Sequence, residues 1–288
     1  MNTAPTAEQL REMSLPTMLT VENISVRFEG VKALTDISFA VQPGELFAVI
    51  GPNGAGKTSL FNVLSRVYQP VGGRVTFNGQ NLLRLKTHQV ARAGIARTFQ
   101  NLGQFPTLTV LDYLLLGRHT RMRSGIMLGG IYLGLTANEE KKNRAYCLHL
   151  LDVMGMSHLR NHPLGSLPYG LQKRADIARA LALEPKLLLL DEPVAGMGLE
   201  ETEDIASIIL DIKEQLGVTQ ILVEHDMALV MGIADRILVL DFGRVIAQGT
   251  PAEVQANPDV LKAYLGEEFG ETAIDTHNTL SVPTDNSC

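Results

Sequence analysis

The chain has 288 residues, of which 45% are hydrophobic and 19% charged, with a formal net charge of −6. That length and apolar content supply a globular core and allow one large domain or two small ones, and the negative balance excludes a general basic face for nucleic acid. Two cysteines, Cys147 and Cys288, offer neither metal-ligand spacing nor a disulfide framework, which fits a reducing cytosol.

Residues 1–17 are polar and punctuated by proline, and are expected to form a mobile leader. They lack a basic start followed by an apolar core, so they do not read as a secretory signal. From Leu19 to Val41 apolar residues alternate: Ile24, Val26 and Phe28 on one face, then Ile37, Phe39 and Val41. This pattern predicts antiparallel strands. Pro43-Gly44 turns the chain into the apolar run Leu46–Ile50, a buried strand.

That strand feeds Gly51-Pro52-Asn53-Gly54-Ala55-Gly56-Lys57-Thr58, a complete G-x-x-x-x-G-K-[ST] phosphate loop. The spacing has a mechanical reason. Gly51, Gly54 and Gly56 let the backbone curl with its N–H groups inward, and the following helix N-terminus adds to this nest for phosphate oxygens. Asn53 to Ser59 therefore form the candidate nucleotide cradle. Lys57 reaches the β and γ phosphates, and the Thr58 hydroxyl is a candidate Mg²⁺ ligand. A Gly-rich strand-to-helix turn is the plainer alternative, which the flanking strand and helix argue against.

Residues 74–78, between Gly72-Gly73 and Gly79, predict a further strand. The stretch 101–180 changes to helical periodicity, with a helix expected over Asn138–Met154. Its longest apolar run, Gly125–Leu135, is shorter than the about 20 residues a bilayer span needs. The αβ rhythm then returns. Leu187–Leu190 is a buried strand ending in Asp191-Glu192, Glu203–Leu216 an amphipathic helix closed by Gly217, and Thr219–Val223 and Arg236–Leu240 are further strands. Thr250-Pro251-Ala252-Glu253 is a capping box with proline at the first helical position. Residues 268–288 are polar and expected to be disordered. The organisation is thus a single nucleotide-binding domain over 18–267, with a helical part over about 101–180 between two halves of a core.

Asp191, at the end of a buried strand beside a phosphate loop, is a candidate Mg²⁺ ligand, and Glu192 a candidate base that polarises water. Alternatively Asp-Glu-Pro simply ends a strand. His225 follows another apolar strand and can touch the γ phosphate or orient the water, or be an ordinary surface histidine. Gln100, where the core passes into the helical part, can touch Mg²⁺ or the water.

These residues, in this order, resemble the ATP-binding subunits of ABC transporters, over roughly Leu19 to Gly266. The resemblance implies an α/β fold: a P-loop parallel-sheet core with an antiparallel β layer and a helical subdomain. It implies ATP and Mg²⁺ as cofactors. Phe28 matches the aromatic that stacks on adenine, although strand packing explains a ring there equally. Gln100 matches the Q-loop glutamine, Glu192 the catalytic base and His225 the switch histidine. The family signature falls on Leu167-Pro168-Tyr169-Gly170-Leu171, which departs from Leu-Ser-Gly-Gly-Gln. Pro168 lacks the serine hydroxyl and an N–H, Leu171 replaces glutamine, and Gly198 stands where many members have aspartate. ATP binding is untouched by these departures; service of the opposing subunit's site is where they bear.

Within that family, Leu-x-Tyr-Gly at 167–170, Glu224-His225-Asp226-Met227 and the ending Asn257–Gly266 are similar to the larger ATPase subunit of branched-chain amino-acid importers. The segment Gly117–Glu140 suits that subunit too, its apolar part packing on the helical region or on a partner. The resemblance implies a dimer with a second, shorter ATP-binding subunit, a homodimer being the alternative. It further implies two transmembrane permeases, a solute-binding protein acting indirectly, and a place on the inner face of the membrane, with no nucleic-acid partner. A urea or short-amide importer is the nearest competitor. A soluble ABC ATPase of DNA or ribosomes is the rival from another class, against which stand the single cassette and the lack of sustained heptads.

Overall fold

The computed structural model describes residues 17–99, 105–119 and 133–264. The expected leader up to residue 16, Gln100, the run from Gly125 to residue 132 and the tail from residue 265 lie outside the described residues.

The alternating stretches near the start form β1 (Leu19–Phe28) and β2 (Val31–Val41), paired antiparallel. Asn23, at φ +49, interrupts the alternation, so that buried Leu19 and Val21 pass to buried Ile24 and Val26 through a register shift. Phe28 departs from the expected face. After a further shift between Ile24 and Val26, a third between Val26 and Arg27 turns the strand end outward, leaving Phe28 41% exposed. β4 (Gly72–Phe77) and β5 (Gln80–Asn81) complete an antiparallel sheet ordered β2-β1-β4-β5.

The second sheet is ordered β10-β9-β3-β8-β7-β6. It comprises β3 (Leu46–Ile50), β6 (Ile95–Arg97), β7 (Leu187–Asp191), β8 (Thr219–Val223), β9 (Arg236–Asp241) and β10 (Arg244–Gly249). β9, β3, β8, β7 and β6 run parallel, with β10 antiparallel at one edge. β3, β7 and β8 are buried at every position, as a parallel sheet covered on both faces requires. Their alternation sorts residues into two cores. Leu46, Ala48, Ile50, Leu188, Leu190 and Leu222 pack with the helical part. Phe47, Val49, Leu187, Leu189, Ile221 and Val223 pack with the antiparallel sheet and the helix after the phosphate loop.

The helices are α1 (Lys57–Leu64), α2 (Thr87–Ala93), α3 (Val110–Arg118), α4 (Leu133–Val153), α5 (Tyr169–Leu181), α6 (Leu199–Leu216), α7 (Met227–Ile233) and α8 (Pro251–Gln255). α4 begins five residues before the expected Asn138. α6 begins at Leu199 rather than Glu203, because Glu200 and Glu201 suit the first turn of a helix by their charge. Gly217, at φ +61, closes α6 as expected. The Thr250 capping box opens α8. No helix among the described residues is long and apolar enough to cross a membrane.

Candidate functional site

Strand order explains where the site forms. β3, β8 and β7 are neighbours and run parallel, so the loops leaving their carboxyl ends meet at one edge. These are the phosphate loop after β3, Asp191-Glu192 at the end of β7, and Glu224-His225 after β8.

The phosphate loop passes from buried Ile50 through Gly51 at φ +149 to Gly56 at φ +104, the cap of α1. A side chain does not fit at either end. A Cβ on Gly51 would stand 2.0 Å from the Leu240 carbonyl oxygen, and one on Gly56 2.7 Å from Leu34 Cδ2. The loop is braced from behind by the β9–β10 turn, where the Gly243 N–H donates to the Ala55 carbonyl at 3.0 Å. Buried Lys57 folds its ammonium back over the loop and donates to the carbonyls of Gly51 at 2.5 Å and Pro52 at 3.0 Å. The cation is thus held at the mouth of the amide nest.

An open cavity of about 430 Å³ lies in front of the loop. Its lining joins Asn53, Gly54, Ala55, Gly56, Lys57, Thr58 and Ser59 to Glu192. A neighbouring hollow of about 540 Å³ is larger, but it is lined by Pro52, Asn53 and Ala55 with Asp241 and the C-terminal helical residues. It includes neither Lys57 nor Glu192, so the chemistry belongs to the smaller one.

Asp191 is buried and carries two differently engaged oxygens. Oδ2 accepts from the Arg97 guanidinium at 2.6 Å, while Oδ1 is buried with no hydrogen-bond partner in the structure. An orphaned, buried carboxylate oxygen at this edge, together with an exposed Thr58 hydroxyl, fits a hard cation that takes oxygen ligands. No cluster of three or more His, Cys, Asp or Glu side chains that could hold a metal ion occurs among the described residues.

Glu192 sits at φ +47, an uncommon conformation for a residue with a side chain. It is held there on both sides: its N–H donates to the Val223 carbonyl at 2.9 Å, and its carbonyl accepts from Lys173 Nζ at 3.1 Å. His225 leaves β8 with its side chain 59% exposed and Nδ1 3.5 Å from Glu224 Oε2. It does not line the 430 Å³ cavity. Neither does Phe28, whose ring rests edge-on against Tyr68 at 4.8 Å.

Pro168, Tyr169 and Gly170 stand apart from that cavity, at the start of α5. Pro168 is the exposed cap residue and makes no side-chain capping bond. Half-exposed Tyr169 carries Lys173 Nζ 5.7 Å from its ring centre. Gly170 is closely covered, a Cβ there standing 2.7 Å from Glu201 Oε1.

Three residues that the structure places around the site escaped the sequence reading: Arg97, Asp176 and Glu224. A signal existed for two of them. Asp176 is acidic amid the apolar residues of a helix, and Glu224 extends an apolar strand by one charged residue. Arg97 carried no pattern of its own.

A phosphate loop on a parallel sheet, with a carboxylate of the next-but-one strand in the same cavity, defines a P-loop nucleoside-triphosphatase. Comparison with known proteins narrows the class. The family model described as ABC transporter matches residues 34–195, and that described as Branched-chain amino acid ATP-binding cassette transporter matches residues 244–270. Over 255 residues the chain is 39% identical to the high-affinity branched-chain amino acid transport ATP-binding protein BraF of Pseudomonas aeruginosa, covering 88% of this chain and 100% of that one. It is 38% identical, with the same coverage, to the corresponding protein LivG of Escherichia coli. Among solved structures, an ATP-binding cassette of an ABC transporter in its ADP conformation superposes with a TM-score of 0.77 at 31% identity, covering 87% of this chain and 99% of that one. The chain belongs to the ABC transporter family, as an ATP-binding cassette that hydrolyses ATP.

Proposed function

We propose that this cassette is the larger ATPase subunit of an importer for branched-chain amino acids. The solute assignment is supported by relatives of that named function matched along their whole length, and by the family match over residues 244–270. The hydrolytic role rests on one observation above others: Lys57 and Glu192 line the same cavity.

In this reading Asn53 to Ser59 wrap the phosphates in backbone N–H groups, and Lys57 exchanges its own-loop carbonyls for phosphate oxygens. Phe28 covers the adenine. Thr58, Asp191 (directly or through water) and Gln100 would hold Mg²⁺, which would supply charge neutralisation at the phosphates. Glu192 accepts a proton from the attacking water. His225 steadies the γ phosphate. Pro168, Tyr169 and Gly170 present the start of α5 to ATP on a second ATP-binding subunit, a shorter chain in a heterodimer. Closure of that dimer drives two permeases in the membrane, on whose inner face the chain sits, and a solute-binding protein delivers the amino acid.

A pull-down in detergent from the protein's own cells tests this. Two permeases and a second ATPase are expected to co-purify, with a binding protein that titrates leucine, isoleucine or valine. Ribosomes or repair proteins as the sole partners would overturn the transport role. A binding protein that takes only urea would overturn the solute.

A further inference from the structure

Glu224 is fully buried, and none of the roles above uses it. Its two carboxylate oxygens are each committed to the backbone of a different catalytic loop. Oε1 accepts the N–H of Val194 at 3.0 Å, two residues beyond Glu192. Oε2 accepts the N–H of His225 at 3.0 Å and lies 3.5 Å from that residue's Nδ1. The preceding residue adds a third tie, because the Val223 carbonyl accepts the N–H of Glu192 at 2.9 Å. Burial pushes the Glu224 carboxyl above the usual carboxylate range, and the N–H groups of Val194, His225 and Asp226 pull against it.

A buried acid with this cost needs a function that a neutral residue does not serve. Backbone N–H donors converge on both of its oxygens, and only a carboxylate offers an acceptor at each. Glutamine has the same shape, but its NH₂ group would face one of the two N–H groups.

We propose that Glu224 is a positioning residue for ATP hydrolysis: it clamps the loop carrying Glu192 to the backbone of His225, so that base and histidine are held as one unit. It acts through these neighbours and has no contact with the nucleotide. The inference rests on the roles assigned above to Glu192 and His225.

The test uses the full chain with Mg²⁺ and ATP, comparing Glu224→Gln with Glu192→Gln and His225→Ala. Glu224→Gln is expected to lower the kcat of the folded fraction by about tenfold or more, with KM for ATP changed by less than about twofold, alongside a fall in melting temperature from the donor left facing an N–H. A merely structural residue would lower the melting temperature likewise but leave the kcat of the folded fraction alone. Near-native kcat in folded Glu224→Gln, while Glu192→Gln and His225→Ala lose turnover, overturns the clamp and leaves the site standing. Full turnover in Glu192→Gln or His225→Ala overturns the site assignment itself, and the clamp with it. The wild-type chain gives a second readout, independent of how the variants fold. By amide hydrogen exchange, the clamp predicts that the N–H groups of Val194 and His225, both held by the buried carboxylate, are protected to a similar degree. Exchange of either amide at the rate of an open loop would overturn it.

Discussion

The hydroxyl of Tyr113 on α3 donates to Oδ1 of Asp176 on α5 at 2.8 Å, and both side chains are buried. The same carboxylate accepts the Phe99 N–H at 2.6 Å and Arg179 Nε at 2.8 Å. Arg179 in turn donates to the Arg97 carbonyl at 3.0 Å and lies 3.8 Å from the Phe99 ring centre. One buried acid therefore joins the helical part, the helix that follows Pro168, and the chain just before Gln100. Burial and the neighbouring Asp176 charge hold the Tyr113 phenol above its ordinary range, so it stays a donor.

Tyr113→Phe removes that donor without changing the packing volume. Because the bond goes to a charged group, the expected loss is about 1.5–3 kcal/mol of stability. Urea unfolding of the purified chain measures it. An unchanged midpoint would show that Phe99 and Arg179 satisfy Asp176 unaided.

The phosphate loop depends on backbone closeness rather than on glycine flexibility in general. Gly56→Ala would bring a Cβ to 2.7 Å from Leu34 Cδ2 and 2.8 Å from the Ala33 carbonyl, at a φ of +104. Gly44, at φ +74, has nothing within 4 Å of its Cβ position. Gly44→Ala is thus expected to cost about 1–2 kcal/mol of backbone strain and leave nucleotide binding intact. Gly56→Ala is expected to abolish binding of a fluorescent ATP analogue. Equal binding by the two variants would mean that the loop can shift away from β2.

Much of this was legible in advance, for identifiable reasons. The phosphate loop, Asp191 and Glu192 each follow an uninterrupted apolar strand, and strands buried on both faces announce themselves in sequence. β6 and β10 did not. β6 has three residues, and β10 is an edge strand with no fully patterned face. Alternation alone puts Phe28 on the face of Ile24 and Val26 and leaves strand packing and adenine stacking equally open; the register shift after Val26 that exposes it lies in backbone geometry that the residue types do not encode. For Glu224 and Asp176 the sequence marks a charge among apolar residues but not what it binds. Their partners are backbone N–H groups and side chains as far as 77 residues away in sequence, and such pairing exists only once the chain has folded.

Glu192→Gln keeps the shape of the side chain and its strained φ but removes its basicity. Turnover is expected to fall by about 100-fold or more, with ATP still bound. Steady-state phosphate release, together with ATP retention on a gel-filtration column, reads both quantities. Phosphate release near the native rate would take Glu192 out of the role of base.

Cys147 lies on α4 inside the helical core, and burial pushes its thiol up to about 11. Little thiolate exists there at pH 8, so iodoacetamide is expected to leave Cys147 unmodified in the folded protein and to label it in urea. Peptide mass spectrometry distinguishes the two. Rapid labelling under native conditions would show that the helical part opens readily.

Pro168 caps α5 with no side chain able to accept from the first turn, and it is exposed at the point where the family usually has serine. Pro168→Ser supplies an oxygen for those N–H groups, worth about 0.5–2 kcal/mol at a helix start. Its backbone, at φ −50 and ψ 150, already has the extended conformation a capping serine adopts. The variant is therefore expected to melt at a higher temperature. In the dimer proposed above its hydroxyl would also supply a donor toward phosphate on the opposing subunit, and turnover of the assembled transporter is then expected to rise. A higher melting temperature with unchanged turnover would separate the two effects: the cap gains from serine, while the backbone N–H groups at the start of α5 already suffice for the opposing phosphate.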